Sequence, residues 1–195
     1  MKLEDARRIG NNLLNRLVEH CEAIHIVGSV RRKEPEVKDV ELLVIPRLDG
    51  DVNLFHEGVV DMLAHDNITE RLNKNGRKIA SVRLGAKEMA LSYQNIPVDL
   101  FVTDEDHLGF QKWLRTGPAA ANKFMMQNPP AGLRVPGLMF YKGQMSKGKR
   151  ELFARDERQM FEILRLMYLI PEARSVENYR IARKQFEELK AKRFE

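Results

Sequence analysis

The sequence predicts an α+β protein in two lobes: a first with a mixed or antiparallel sheet carrying helices on one face, and a smaller α+β lobe after it. Three observations lead there. Helical periodicity over residues 3–23 gives way to short β-branched and aliphatic runs. Such runs return between Asn, Gly and Pro punctuation as far as residue 103. From residue 107 the apolar spacing becomes helical again.

In chain order, Ile9, Leu13 and Leu17 recur with Leu14, Val18 and Cys21 at helical intervals, which puts them on one face of an amphipathic helix. Residues 24–30 and 40–45 read as two strands joined by a basic, Pro-containing segment over 31–38. Asp51 is expected to cap a second helix whose apolar face is Phe55, Val59, Met62 and Leu63. Residues 68–73, 78–84, 87–93 and 98–103 follow as short antiparallel strands. The helical stretch 107–128 breaks at Thr116-Gly117-Pro118, where Pro118 suits the first turn of a new helix, and this break is also a candidate boundary between lobes. Beyond Pro129-Pro130, residues 133–141 predict a strand or hairpin, followed by a glycine-containing basic segment over 142–150. Asp156 with Gln159 imitates a capping box ahead of a helix faced by Met160, Phe161, Leu164, Met167 and Tyr168 and ended by Pro171. The charged stretch 176–195, with Ile181, Phe186 and Leu189 as a thin apolar stripe, reads as an exposed helix or a fraying end. The expected division is therefore 1–106, 107–175 and a basic tail over 176–195.

Composition narrows the class further. The chain has 195 residues, 43% hydrophobic and 31% charged, which excludes collagenous and low-complexity proteins and gives no reason for long disorder. Its apolar runs fall far short of the ~18 residues of a membrane span, so no membrane partner is expected. The single cysteine, Cys21, can form neither an internal disulfide nor a multi-thiolate zinc site. With no export signal visible, an intracellular, reducing compartment is expected. The histidines show no ligand spacing, and none is assigned chemistry.

The chemistry concentrates around Gly28-Ser29-Val30-Arg31-Arg32 and the following Asp39-Val40-Glu41. Strand alternation sends Asp39 and Glu41 to the same side, while Val40, Leu42 and Val44 face the other. Adjacent carboxylates repel unless a cation neutralises them, so a hard divalent ion, magnesium first, is the natural occupant. Asp99 adds a third acid, set between Val98 and Leu100-Phe101 in an apolar strand. If that strand lies beside the first pair, three carboxylates can hold two ions about 3.5–4 Å apart for in-line phosphoryl displacement. Gly28, lacking a Cβ, lets backbone amides approach a phosphate, Ser29 can donate to its oxygens, and Arg32 can neutralise it.

These residues resemble the nucleotidyltransferase superfamily, and within it the family X DNA polymerases of the polymerase beta type. The resemblance runs from residue 10 to residue 174. Its motifs are the Gly28-Ser29 turn, the Asp39/Glu41 pair, Val98-Asp99-Leu100-Phe101, Thr116-Gly117-Pro118 with Asn122-Lys123, and Phe161, Leu164, Tyr168, Pro171 and Arg174 at the close. It is nearest to the reduced viral type, as in African swine fever virus, with only a nucleotidyltransferase palm and a small thumb-like lobe. The resemblance implies that Asp39, Glu41 and Asp99 are the catalytic acids and bind two magnesium ions, with manganese as the alternative. It also implies that Asp99 orients a primer 3′-hydroxyl and that Gly28, Ser29 and Arg32 hold the triphosphate of a dNTP. Thr116 and Gly117 would sit under the sugar, Asn122 at the minor-groove edge of the base, and Lys123 against the template base. The family has Asp where Glu41 stands, and an aromatic pair or Gly-Trp where Leu114 and Arg115 stand.

The segment 141–150 has four basic residues and no acid, and 174–193 has seven basic against three acidic. Counterion release draws duplex DNA to such surfaces, so Lys142, Lys147, Lys149 and Arg150 join Lys123 as expected DNA-binding residues. The expectation is a monomeric DNA polymerase that fills short gaps in primer-template or gapped duplex DNA, in repair and wherever the DNA is. Two alternatives stay open. One is a template-independent nucleotidyltransferase acting on a small molecule, protein or RNA end, which Glu41 and the missing aromatic pair favour. The other is a DNA-binding accessory protein with an inactive palm.

Overall fold

The computed structural model describes residues 1–141 and 143–192, and the chain divides after Asp104 into two units with separate apolar cores. In the first, α1 (Leu3–Leu17) buries Ala6, Ile9, Leu13 and Leu17. The helix was expected to reach residue 23 but stops at Leu17. A 3-10 turn, Val18–His20, follows, and Cys21 opens β1 (Cys21–Ile26) because it pairs with Pro46 across the sheet. The strand expected over 24–30 is also cut short, since Gly28 takes φ +65 and turns the chain into α2 (Gly28–Arg31).

After β2 (Val40–Pro46), a small hairpin of β3 (Leu48–Asp49) and β4 (Val52–Asn53) leads into α3 (Leu54–His65). Asp51 lies in the turn of that hairpin, and the cap is Asn53, whose Oδ1 accepts the His56 N–H at 3.0 Å. The sheet is completed by β5 (Ile68–Glu70), β6 (Glu88–Tyr93) and β7 (Ile96–Val102). No strand forms over 78–84. The stretch touches β6 through the Ala90 N–H, which donates to the Ala80 carbonyl at 2.9 Å, but its flanks 72–79 and 83–85 are exposed.

The strand order is β1-β2-β7-β6-β5. All neighbours are antiparallel except β2 and β7, which run parallel, so of the two expected forms the sheet takes the mixed one. A parallel pairing needs a long connection, supplied here by α3, β5 and β6 between the two strands. The turn at Gln94 and Asn95, both left-handed, fixes the β6–β7 hairpin. Met62 and Val59 of α3 join the α1 face against Val40, Leu42, Val44, Val98 and Leu100.

The second unit contains α4 (Leu108–Thr116), α5 (Ala119–Met126), β8 (Leu138–Tyr141), β9 (Gln144–Lys147), β10 (Arg150–Leu152), α6 (Glu157–Ile163) and α7 (Val176–Ala191). The described part of the basic segment, 143–150, thus lies within a three-stranded meander. Asp156 caps α6 through the Gln159 N–H at 2.9 Å. That helix was expected to continue to Tyr168 but ends at Ile163. Arg165 turns left-handed, and Arg183 of α7 donates to the carbonyls of Leu164 at 2.7 Å and Arg165 at 2.9 Å, satisfying groups that another helical turn would have used. The stretch read as an exposed helix or a fraying end is a largely exposed helix over 176–191, anchored on the second core. Its Tyr179 and Ala182 are buried, and Trp113 Nε1 donates to Tyr179 Oη at 3.0 Å.

Candidate active site

The parallel register sets the candidate site. Glu41 on β2 stands directly opposite Asp99 on β7, and Asp39 immediately precedes β2, near enough for its charge to act on Asp99. On its other flank Asp99 faces Ala90 of β6, a residue too small to cover it. Val40, Leu42, Val98 and Leu100 point into the core, which sends Glu41 and Asp99 to the opposite face.

Beneath Glu41 lies the Gly28 turn. The Val27 N–H donates to the Glu41 carbonyl at 2.9 Å, tying the end of β1 to β2. A Cβ on Gly28 would lie 1.7 Å from Glu41 Oε2, so the carboxylate occupies the space a side chain would need. The neighbouring Ser29 Oγ is buried and has no hydrogen-bond partner among the described residues. A buried, unsatisfied hydroxyl costs free energy unless something polar meets it, so Ser29 Oγ is a candidate contact for a ligand. Arg32 Nε donates to Glu34 Oε1 at 3.2 Å near the surface.

Asp99 is held from a place the sequence reading did not single out. Arg71, just beyond β5, donates from Nη2 to Asp99 Oδ1 at 2.5 Å, and both side chains are largely buried. Burial pushes the Asp99 carboxyl above the usual range, Arg71 pulls it back, and the charges of Asp39 and Glu88 push it up. Asp99 thus shares its carboxylate with Arg71 while standing opposite Glu41 in the register. Among the described residues no group of three His, Cys, Asp or Glu side chains is arranged to hold a metal. The donor set still suits hard divalent cations: the Glu41 and Asp99 carboxylates on neighbouring strands with Asp39 close by, beside an orphaned hydroxyl suited to a phosphate oxygen.

The remaining expected residues lie in the second unit, each described there by itself. Thr116, fully buried, ends α4, and Gly117 adopts φ +67 at a cis bond to Pro118. Asn122 is buried, and its amide Nδ2 donates to the Leu114 carbonyl at 2.7 Å, bracing α4 to α5; its Oδ1 has no partner among the described residues. Lys123 is exposed on α5, and Lys147, Lys149 and Arg150 are exposed around the β9–β10 turn. Lys142 lies outside the described residues. No described helix is long and apolar enough to cross a membrane.

No family model matches the chain, and no curated protein matches it. Among solved structures it is similar to Leishmania infantum polymerase beta in a ternary P/T complex. The two share 17% identity with a TM-score of 0.66, covering 90% of this chain and 76% of that one. It is also similar to the same enzyme in a ternary gap complex, at 16% identity and a TM-score of 0.68, covering 90% of this chain and 70% of that one. At that identity the likeness concerns architecture, and the chain has a polymerase beta-like α+β fold.

Proposed function

We propose that this chain is a template-directed DNA polymerase of the family X kind, in the reduced palm-plus-thumb form. It would extend a primer 3′-hydroxyl with deoxynucleotides in short gaps, as a monomer acting in DNA repair inside the cell. The observation that carries this reading is the parallel β2–β7 register, with Glu41 opposite Asp99 and the Gly28 turn directly beneath Glu41. The structural neighbours, polymerase beta in P/T and gap complexes, support primer-template and gapped DNA as partners.

In this reading Asp39, Glu41 and Asp99 would hold two magnesium ions, or manganese, which when bound supply charge neutralisation for in-line phosphoryl transfer. Asp99 orients the primer hydroxyl and takes its proton as the new O3′–P bond forms and the bond to pyrophosphate breaks. Ser29 Oγ donates to the triphosphate, Gly28 keeps that approach open, and Arg32 offsets the triphosphate charge. Thr116, Gly117 and Asn122 are assigned to the incoming nucleotide. Lys123, Lys142, Lys147, Lys149 and Arg150 are assigned to DNA phosphates and the template.

The test is nucleotide addition to a gapped duplex with each of the four templating bases, with and without magnesium or manganese. A product that changes with the templating base supports the reading. Addition indifferent to the template would instead identify a template-independent nucleotidyltransferase, the activity that Glu41 favours. Binding without addition would identify an accessory protein.

A further inference from the structure

Between β5 and β6 the stretch 71–87 carries Arg71, Lys74, Arg77, Lys78, Arg83 and Lys87 and no acid, in a chain whose whole net charge is +5. The fold presents this charge at the surface. Residues 72–79 are all exposed and form a finger closed by its own backbone. The Ile79 N–H donates to the Arg71 carbonyl at 3.0 Å, and the Asn73 N–H to the Arg77 carbonyl at 2.8 Å. Asn73 Oδ1 accepts the Asn75 N–H at 2.8 Å and the Arg77 N–H at 3.1 Å, which stiffens the tip.

Lys78 pairs with Glu70. Lys74, Arg77, Arg83 and Lys87 have no ion-pair partner among the described residues. Uncompensated cations repel one another unless a polyanion draws them together. At the root of the finger, Arg71 bonds to Asp99, so the charged surface begins at the candidate site itself.

We propose that residues 71–87 are a docking finger for the phosphodiester backbone of the primer strand, next to the 3′ end that meets Asp99. The naming of that strand rests on the polymerase reading; the finger's affinity for nucleic acid does not. A protein partner fits less well, because lysine is depleted from the cores of protein interfaces whereas phosphate contacts are made by Lys and Arg.

Binding of a fluorescent primer-template duplex is measured by anisotropy against salt, in EDTA and without nucleotide. Wild-type protein is compared with the fourfold variant K74Q/R77Q/R83Q/K87Q. All four side chains are exposed, so the melting temperature is expected to hold. The salt slope of the variant is expected to be shallower by about 2–4 units, since each lost phosphate contact removes about 0.9. Low-salt affinity should fall at least about tenfold on the same account.

A second arm places the strand. Lys74→Cys, labelled with a tethered iron chelate, should cleave next to the primer 3′ end; Cys21 is buried and leaves the label to the new thiol. Unchanged slope and affinity in the fourfold variant would overturn the proposal and leave the surface to an acidic protein. Cleavage confined to positions far from the primer end would overturn the strand assignment. A failure of the polymerase reading shows separately, as wild-type protein that binds through the finger yet adds no nucleotide.

Discussion

Gly28 illustrates how single atoms set this site. Alanine there would have to place its Cβ 1.7 Å from Glu41 Oε2 and hold φ +65, which costs an L-residue about 1–2 kcal/mol. Gly28→Ala is therefore expected to keep its circular dichroism while nucleotide addition drops about 100-fold, the scale of a 1 Å misplacement. Asp99→Asn tests a different property. It keeps the shape and removes the charge, so nucleotide affinity by equilibrium titration should hardly change while incorporation falls by about 10²–10⁴. Near-normal turnover by that variant would remove the mechanism. The acids and Gly28 were readable from sequence because strand alternation and a missing Cβ are local properties. Arg71 was not, since its contact with Asp99 spans 28 positions and depends on β5, β6 and β7 lying side by side.

Among the elements, α7 shows what a charge count conceals. Its polar surface suggested an exposed helix or a fraying end; the helix forms, and its Tyr179 is fully buried and accepts the only indole N–H of the chain. Tyr179→Phe leaves that buried donor unsatisfied, and a loss of about 1–3 kcal/mol is expected in denaturant unfolding followed by Trp113 emission. The same tyrosine makes stability pH-dependent. Burial pushes its phenol up to about 12 from an ordinary value of 10, so over that interval the unfolded chain gives up a proton the folded chain keeps. Stability contributed by Tyr179 is level below pH 10 and declines above it, by up to about 2–3 kcal/mol. Measured at about pH 9 and about pH 11, the wild-type decline should exceed that of Tyr179→Phe; equal declines would show that Tyr179 is not its source. The Asp156 cap was legible because capping is a matter of three residues. The early end of α6 was not, because the carbonyls beyond it are satisfied by Arg183, nearly twenty positions away.

At the scale of the whole chain, the decisive feature is that two apolar cores form on either side of Asp104. Periodicity indicated a mixed lobe followed by a smaller α+β one, but it could not say which strands would pair in parallel, because that choice is made across α3, β5 and β6 rather than along the sequence. The Thr116-Gly117-Pro118 break, legible as punctuation, falls inside the second unit. It is bridged there by Asn122 to Leu114 and by the Gly117 N–H to the Trp113 carbonyl. Separate cores make unfolding a two-part event, and the single tryptophan lies in only one of them. Trp113 emission therefore reports the second unit, whereas far-UV circular dichroism reports both. Leu42→Ala, in the first core, should cost about 2–5 kcal/mol and move the dichroism transition while leaving the emission midpoint in place. Phe161→Ala, in the second, should lower the emission midpoint by an equivalent of about 3–5 kcal/mol. If Leu42→Ala shifts both probes together by the same amount, the two cores unfold as one and this division of stability is wrong.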